Sequence, residues 1–271
     1  MRNNLRGKER LRMIDAHIHL DQYEETLLSS LLQSLPEQGI ESLIAVSMNL
    51  ASSIRTQGIA ARYPGLVNPA YGFHPEQPLP PEEDLAALLD WITHHTADMV
   101  AIGEIGLPYY SRAEAKERGE AWDMEPYIRL LDRLLGLAAQ LAKPVVLHAV
   151  YEDAWTVCDL LEQHHITRAH FHWFKGPGDT VDRMISRGYY ISFTPDILYE
   201  QEIQDLARRY PPELVMAETD GPWPFEGPFT GRTTHPAMVH DVAAAWGALH
   251  GYTAGEAKAI LTANTLRFYG L

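Results

Sequence analysis

The chain has 271 residues, 46% hydrophobic and 21% charged, a composition that suits a soluble globular protein and excludes long-range disorder. Its formal net charge of −14 excludes a broad phosphate-binding face for duplex nucleic acid, which needs clustered Lys and Arg. A strand end entering a pocket with its own positive charge is still allowed, and the lone Cys158 excludes an internal disulfide and points to a reducing, cytoplasmic location.

Residues 1–12 are polar and basic, with Arg2, Arg6, Lys8, Arg10 and Arg12, and read as a loose extension ahead of a domain spanning 13–271. The long apolar run of a signal peptide does not follow them, and nowhere are there the ~18 consecutive apolar residues of a membrane span. The first predicted strand, 13–19, contains Asp15, His17 and His19. Alternate residues of a strand share a face, so both imidazoles emerge together and form half a site for a divalent metal. Asp15 shares that face and either supports the pair from behind or belongs to a loop. A helix at 24–35, strands at 42–47 and 66–72, and a helix at 82–95 come next.

The strand at 99–103 is followed by Glu104, a carboxylate whose burial is costly unless it is paired or bound to metal. After a helix at 127–141, the strand at 145–148 closes on His148. Cys158 lies in a helix at 153–164 and reads as buried and inert. The strand at 169–173 brings His172, with His170 on the same face as barrel filling. Trp173 is expected to point the opposite way and pack beneath the helices, with Phe174 and Trp223 nearer the mouth. Strands at 189–193 and 214–218 flank a helix at 201–210, and Asp220 follows the last of them. Thr253 and Glu256 read as a capping box, opening a helix with apolar residues at Ala257, Ile260, Leu261 and Phe268. His94, His95, His164 and His165 fall near helix C-termini as solvated imidazoles, and His235, His240 and His250 show no metal spacing.

Short strands alternating with helices imply a parallel sheet, and eight such units in about 250 residues imply a closed α/β structure, the (β/α)8 TIM barrel. Such enzymes build their sites at the C-terminal ends of the strands, where His17, His19, Glu104, His148, His172 and Asp220 all fall.

Ordered motifs then make the sequence recognisable: Asp-Ala-His-Ile-His-Leu-Asp (15–21), Gly-Phe-His-Pro (72–75), Ile-Gly-Glu-Ile-Gly-Leu (102–107) and Lys-Pro-Val-Val-Leu-His (143–148). His-Trp-Phe-Lys-Gly (172–176), Glu-Thr-Asp-Gly-Pro (218–222) and Asn-Thr-Leu-Arg-Phe-Tyr-Gly-Leu (264–271) complete the set. From Asp15 to Leu271 the chain resembles the TatD family of metal-dependent hydrolases, TIM barrels of the amidohydrolase superfamily. The resemblance implies a cofactor of two divalent ions, of Zn, Mg, Mn, Co, Ni or Fe. It gives His17, His19 and Asp220 to one ion and His148 and His172 to the other, with Glu104 bridging. It also implies phosphodiester hydrolysis, as by a 3′–5′ exonuclease-like deoxyribonuclease on small phosphodiesters or single-stranded DNA. Asp220 is then the base, and His74 is placed near the substrate phosphate.

Two departures bear on substrate. Pro108 stands where the family commonly has Asp, and Val150 where nuclease members often carry Arg, which removes a bidentate phosphate clamp. Lys175 and Arg232 are the substitutes at hand. The rival readings are amide or lactone hydrolysis on the same metals, and a metal-bearing partner-binding module. Neither a membrane nor an obligate protein partner is expected.

Overall fold

The computed structural model describes residues 12–271. The expected loose extension, 1–12, lies outside these except for Arg12, whose carbonyl accepts a hydrogen bond from Thr262 Oγ1 (3.0 Å).

Eight parallel strands form one sheet in sequence order: β1 (Met13–Ile18), β2 (Ile40–Ala45), β3 (Val67–Tyr71), β4 (Ala101–Gly106), β5 (Val145–His148), β6 (Ala169–Phe171), β7 (Tyr190–Phe193) and β8 (Val215–Ala217). Helices α1 (Glu25–Ser34), α2 (Leu50–Arg62) and α3 (Glu82–His94) cover the first strands, and α4 (Tyr109–Glu117) and α5 (Glu125–Leu141) follow β4. The outer layer continues with α6 (Asp153–Gln163), α7 (Gly178–Ser186), α8 (Gln201–Arg209), α9 (Val239–His250) and α10 (Ala254–Tyr269). This is the TIM barrel expected, with strand ends moved by one to three residues. No described helix is long and apolar enough to cross a membrane.

The helices form for readable reasons. In α5, Leu130, Leu131, Leu134, Leu135 and Ala138 make one buried stripe, each leucine contributing about 2 kcal/mol by leaving water. Its turn away at Ala142 takes a left-handed conformation, φ 53°. By contrast, α2 buries Ser52, Ser53, Thr56 and Ile59, a stripe of hydroxyls in which hydrophobic periodicity does not show. Its start is fixed by Asn49, whose side chain accepts from Ser52 N–H (3.1 Å). Helix α10 has the predicted capping box, with Thr253 and Glu256 bonded reciprocally. Thr253→Ala should therefore cost about 1 kcal/mol and lower the melting midpoint by about 2–4 °C. Circular dichroism during thermal unfolding reads this; an unchanged midpoint would deny the box any part in stability.

The barrel interior is packed by Ala16, Ile44, Ala70, Ala101, Val146 and Met216, with Phe268 and Tyr269 of α10 inserted among them. Phe268 lies against Tyr190 at the start of β7 (4.9 Å between rings), so α10 plugs the end opposite the strand C-termini. Between β8 and β1 the described residues form no ladder. The seam is joined instead by Asp220 N–H to His17 O (3.0 Å), His19 N–H to Gly221 O (2.8 Å) and Thr219 N–H to Asp15 Oδ1 (2.9 Å).

Candidate metal centre

At the mouth, His17 and His19 come from the end of β1, Glu104 from β4, His148 from β5, His172 from just past β6 and Asp220 from just past β8. The structure brings all six together, all buried. Glu104 lies inside its strand, not after it, because β4 runs on to Gly106. Close approach requires Gly72, just past the neighbouring strand β3, where a Cβ would stand 2.5 Å from the Glu104 carbonyl oxygen.

The two carboxylate oxygens of Glu104 face different neighbours. Oε2 lies 3.1 Å from both His17 Nε2 and His19 Nε2. Asp220 Oδ1 is 3.3 and 3.5 Å from the same nitrogens, which are 3.4 Å apart. Donors placed about 2.1 Å from a tetrahedral ion are about 3.4 Å from one another, so these four atoms have the spacing of a coordination shell. Oε1 lies 3.1 Å from His148 Nδ1 and 2.7 Å from His172 Nε2, and those nitrogens are 3.3 Å apart. Glu104 Oε2 and Asp220 Oδ1 are buried, and no donor meets either in hydrogen-bonding geometry.

Electrostatics agree with a cation-seeking cluster. Burial pushes the Glu104 carboxyl up, but the imidazoles of His172, His74 and His17 outweigh it and hold it well below the usual range. Asp220 is likewise lowered, burial being overcome by His17. Burial and His172 depress His17, yet Glu104 and Asp220 raise it to about 9. The carboxylates thus demand positive charge, which protons on imidazoles or divalent ions can supply.

His74 is one of this group, its Nε2 3.2 Å from Glu104 Oε1. Its Nδ1 accepts the Glu76 backbone N–H (3.1 Å), so the ring proton is on Nε2 and the side chain acts as a donor. Burial lowers its pKa against the pull of Glu104. Asp15, wholly buried, is no loop residue. It accepts from Thr219 N–H and O–H across the seam, and burial pushes its carboxyl up to about 8 against those bonds.

Several participants are not singled out by the sequence reading. Glu76 accepts Tyr110 N–H (2.8 Å) and Ser111 N–H (2.7 Å), capping α4 where Pro108 has no side-chain acceptor. Its Oε1 also faces His148 Nε2 (3.2 Å), which leaves His148 Nδ1 free to face the cluster. Burial opposes its charge, yet His148 and Ser111 lower the carboxyl to about 2. Glu218, buried beneath His172 with 3.6 Å between Oε1 and Nδ1, ends a hydrogen-bond chain. Ser192 Oγ donates to Glu218 Oε2 (2.6 Å), so it must accept from His170 Nε2–H (2.6 Å). His170 Nδ1 therefore accepts from Tyr269 O–H (2.9 Å). His170 is the barrel filling expected, but with a directed role. Tyr269→Phe should leave that buried Nδ1 without a donor, at a cost of about 1–3 kcal/mol. A denaturant midpoint equal to the parent's would show that the chain is not continuous.

Other expectations need correction. Trp173 does not pack beneath helices: β6 ends at Phe171, and a left-handed turn (φ 38°) brings the indole to the mouth. Phe174 is fully buried against Phe171, away from the mouth. Lys175 pairs with Asp196 (3.7 Å) and Arg232 lies over the Phe229 ring (5.5 Å), so neither lines the mouth. His164 is not merely solvated but pairs with Asp132 (2.7 Å), and His95 stacks on Trp91 (3.6 Å).

Above the donors opens a cavity of about 620 Å³, walled by Met48, Val150, Tyr110, Trp173 and Trp223 among others. No Lys or Arg among the described residues lines it.

The TatD related DNase family matches residues 14–270. An uncharacterized metal-dependent hydrolase of Haemophilus influenzae is 39% identical over 215 residues, covering 79% of this chain and 83% of that protein. Human deoxyribonuclease TATDN3 is 26% identical, over 95% of this chain and 94% of its own. The crystal structure of YJJV, a TatD homologue from Escherichia coli, superposes with a TM-score of 0.84 at 25% identity, covering 97% of this chain and 99% of that one.

Proposed function

This chain belongs to the TatD-related DNase family of metal-dependent hydrolases, and from that premise we propose that it cleaves phosphodiester bonds using two divalent ions. The observation that carries this reading is the division of Glu104: Oε2 towards His17, His19 and Asp220, Oε1 towards His148 and His172. His17, His19 and Asp220 would hold one ion and His148 and His172 the other, with Glu104 contributing to both halves. When bound, the ions polarise water and ester and offset the charge that develops during displacement.

The chain's own groups do the rest. Asp220 is the base that accepts the proton of the attacking water. His74, protonated on Nε2, donates to a nonbridging oxygen of the ester. Glu76 holds the His148 ring from behind by accepting a hydrogen bond from its Nε2, and the Glu218 carboxylate lies 3.6 Å behind His172 Nδ1 as an electrostatic partner. The buried Cys158 is in keeping with a reducing compartment, and the reading places the protein in the cytoplasm.

The described residues give the cavity no Lys or Arg track for a polyanion, so a nucleic-acid substrate would enter by a single-stranded end. The same feature favours a second reading, amide or lactone hydrolysis on the same donors. At equal enzyme and Mn or Co, a 3′-labelled single-stranded oligonucleotide and bis(4-nitrophenyl) phosphate should turn over while amides and lactones stay near background. The reverse pattern would replace the phosphodiester reading with the second.

A further inference from the structure

The walls of the mouth speak to what the substrate carries besides its reacting bond. Trp223 follows β8 and is 58% exposed, and Tyr110, across the barrel at the start of α4, is 48% exposed. These are two of the six large exposed hydrophobic side chains among the described residues, and both line the same cavity. Exposed aromatics gathered at a concave site mark a binding surface more than scattered ones do.

Trp173 makes that surface rigid. Its backbone holds φ 38°, a conformation bulky residues rarely adopt, and its N–H is bonded to Glu218 Oε1 (2.7 Å). Its indole Nε1–H is bonded to Asp196 Oδ2 (2.6 Å), a carboxylate only 2% exposed. Phe225 backs the ring at 5.5 Å. Trp223 meets it at 6.0 Å between centroids and 67° between planes, so the two indoles make a corner. A planar ring can lie on the open face of Trp223 with its edge against Trp173.

The polar side of the mouth offers few groups for further phosphates, and the nearby cation, Lys175, lies 5.8 Å from the Trp173 ring and pairs with Asp196. The N-terminus of α4, which would otherwise attract an anion, has Tyr110 N–H and Ser111 N–H bonded to Glu76. Val150 adds an apolar wall, and no Lys or Arg among the described residues lines the cavity.

We propose that Trp173 and Trp223 form a ring-binding subsite, and that the substrate is a small ester bearing one neutral planar ring, such as a nucleoside unit, not a long nucleic-acid strand. This rests on the phosphodiester reading for the reacting bond, while the ring subsite stands on the walls alone.

The experiment uses the full chain loaded with Mn. Thymidine 5′-monophosphate and methyl phosphate are titrated calorimetrically, and their affinity ratio isolates the ring. Stacking on an indole should make that ratio about tenfold or more. Trp223→Ala should bring it near one, and Trp223→Phe should restore most of it. Thymidine itself, without phosphate, should quench tryptophan fluorescence in the parent and not in Trp223→Ala. In parallel, thymidylyl-thymidine should be cleaved with a kcat/KM at least equal to that of a single-stranded oligothymidylate of about 20 residues, with a shallow salt dependence. Equal affinities in the parent, a ratio untouched by Trp223→Ala, or a strong preference for the long strand with steep salt dependence would each overturn the proposal. If neither phosphate binds although the metal does, the phosphodiester reading fails by itself. Thymidine quenching then decides the subsite alone: present, it upholds the ring site; absent, it removes it.

Discussion

Asp220→Asn should give a folded protein whose kcat on bis(4-nitrophenyl) phosphate, at saturating metal, is lower by about 10²–10⁴-fold. The substitution keeps volume and shape, and Asn tolerates the left-handed backbone that Asp220 holds at φ 48°. The backbone bond to His17 O across the seam is unaffected, since the side chain takes no part in it. What is lost is an acceptor for a proton: the carboxyl is ionised at neutral pH because His17 holds its pKa down against burial, and an amide has no comparable basicity. Turnover within tenfold of the parent, with metal content and melting midpoint preserved, would place the base elsewhere.

Glu104→Gln should reduce the metal bound after titration from two ions per chain to about one, and activity should fall with it. The parent carboxylate presents one oxygen to each half of the site, at 3.1 Å from His17 and His19 on one side and 2.7 Å from His172 on the other. An amide has a single oxygen, and its NH2 group repels an ion from whichever half it faces. The side chain is wholly buried, so it cannot swing into solvent to avoid the choice. Elemental analysis reads the stoichiometry directly. A parent that never exceeds one ion, or a variant that still binds two, would mean that the two halves do not share Glu104.

The barrel was legible because its signals are periodic and repeated: β-rich runs ending in metal-type side chains, separated by stripes such as that of α5. The clustering of these side chains was legible because each stands at or near such an end, in motifs whose order is itself informative. What the sequence hid depended on chain direction and distant partners. Trp173 was misplaced because alternation was carried past Phe171, where the strand stops and the backbone turns left-handed. Glu76 acts through backbone amides 34 and 35 positions away, which leave no local pattern. Glu218 had a usable sign, a carboxylate following the apolar strand 214–217, the same sign that drew attention to Glu104. Helix α2 escaped because its inner face is hydroxyl-bearing.

The way the ring of strands meets itself ties binding to folding. Its first and last strands touch through a handful of bonds at His17, His19, Thr219 and Asp220 rather than through a ladder. Under the proposed function, the donors for one ion would stand on both sides of that join, two imidazoles at the end of the early strand and a carboxylate just past the late one. Residues more than 200 positions apart in sequence would therefore clasp the same charge. Opening the join would scatter those ligands, so the free energy of ion capture should add to that of keeping the barrel shut, about 2.7 kcal/mol at a hundredfold excess over Kd. A bound metal would then be a fastener as well as a reagent, and the amides of His19 and Asp220 should exchange with solvent more slowly in its presence than without it.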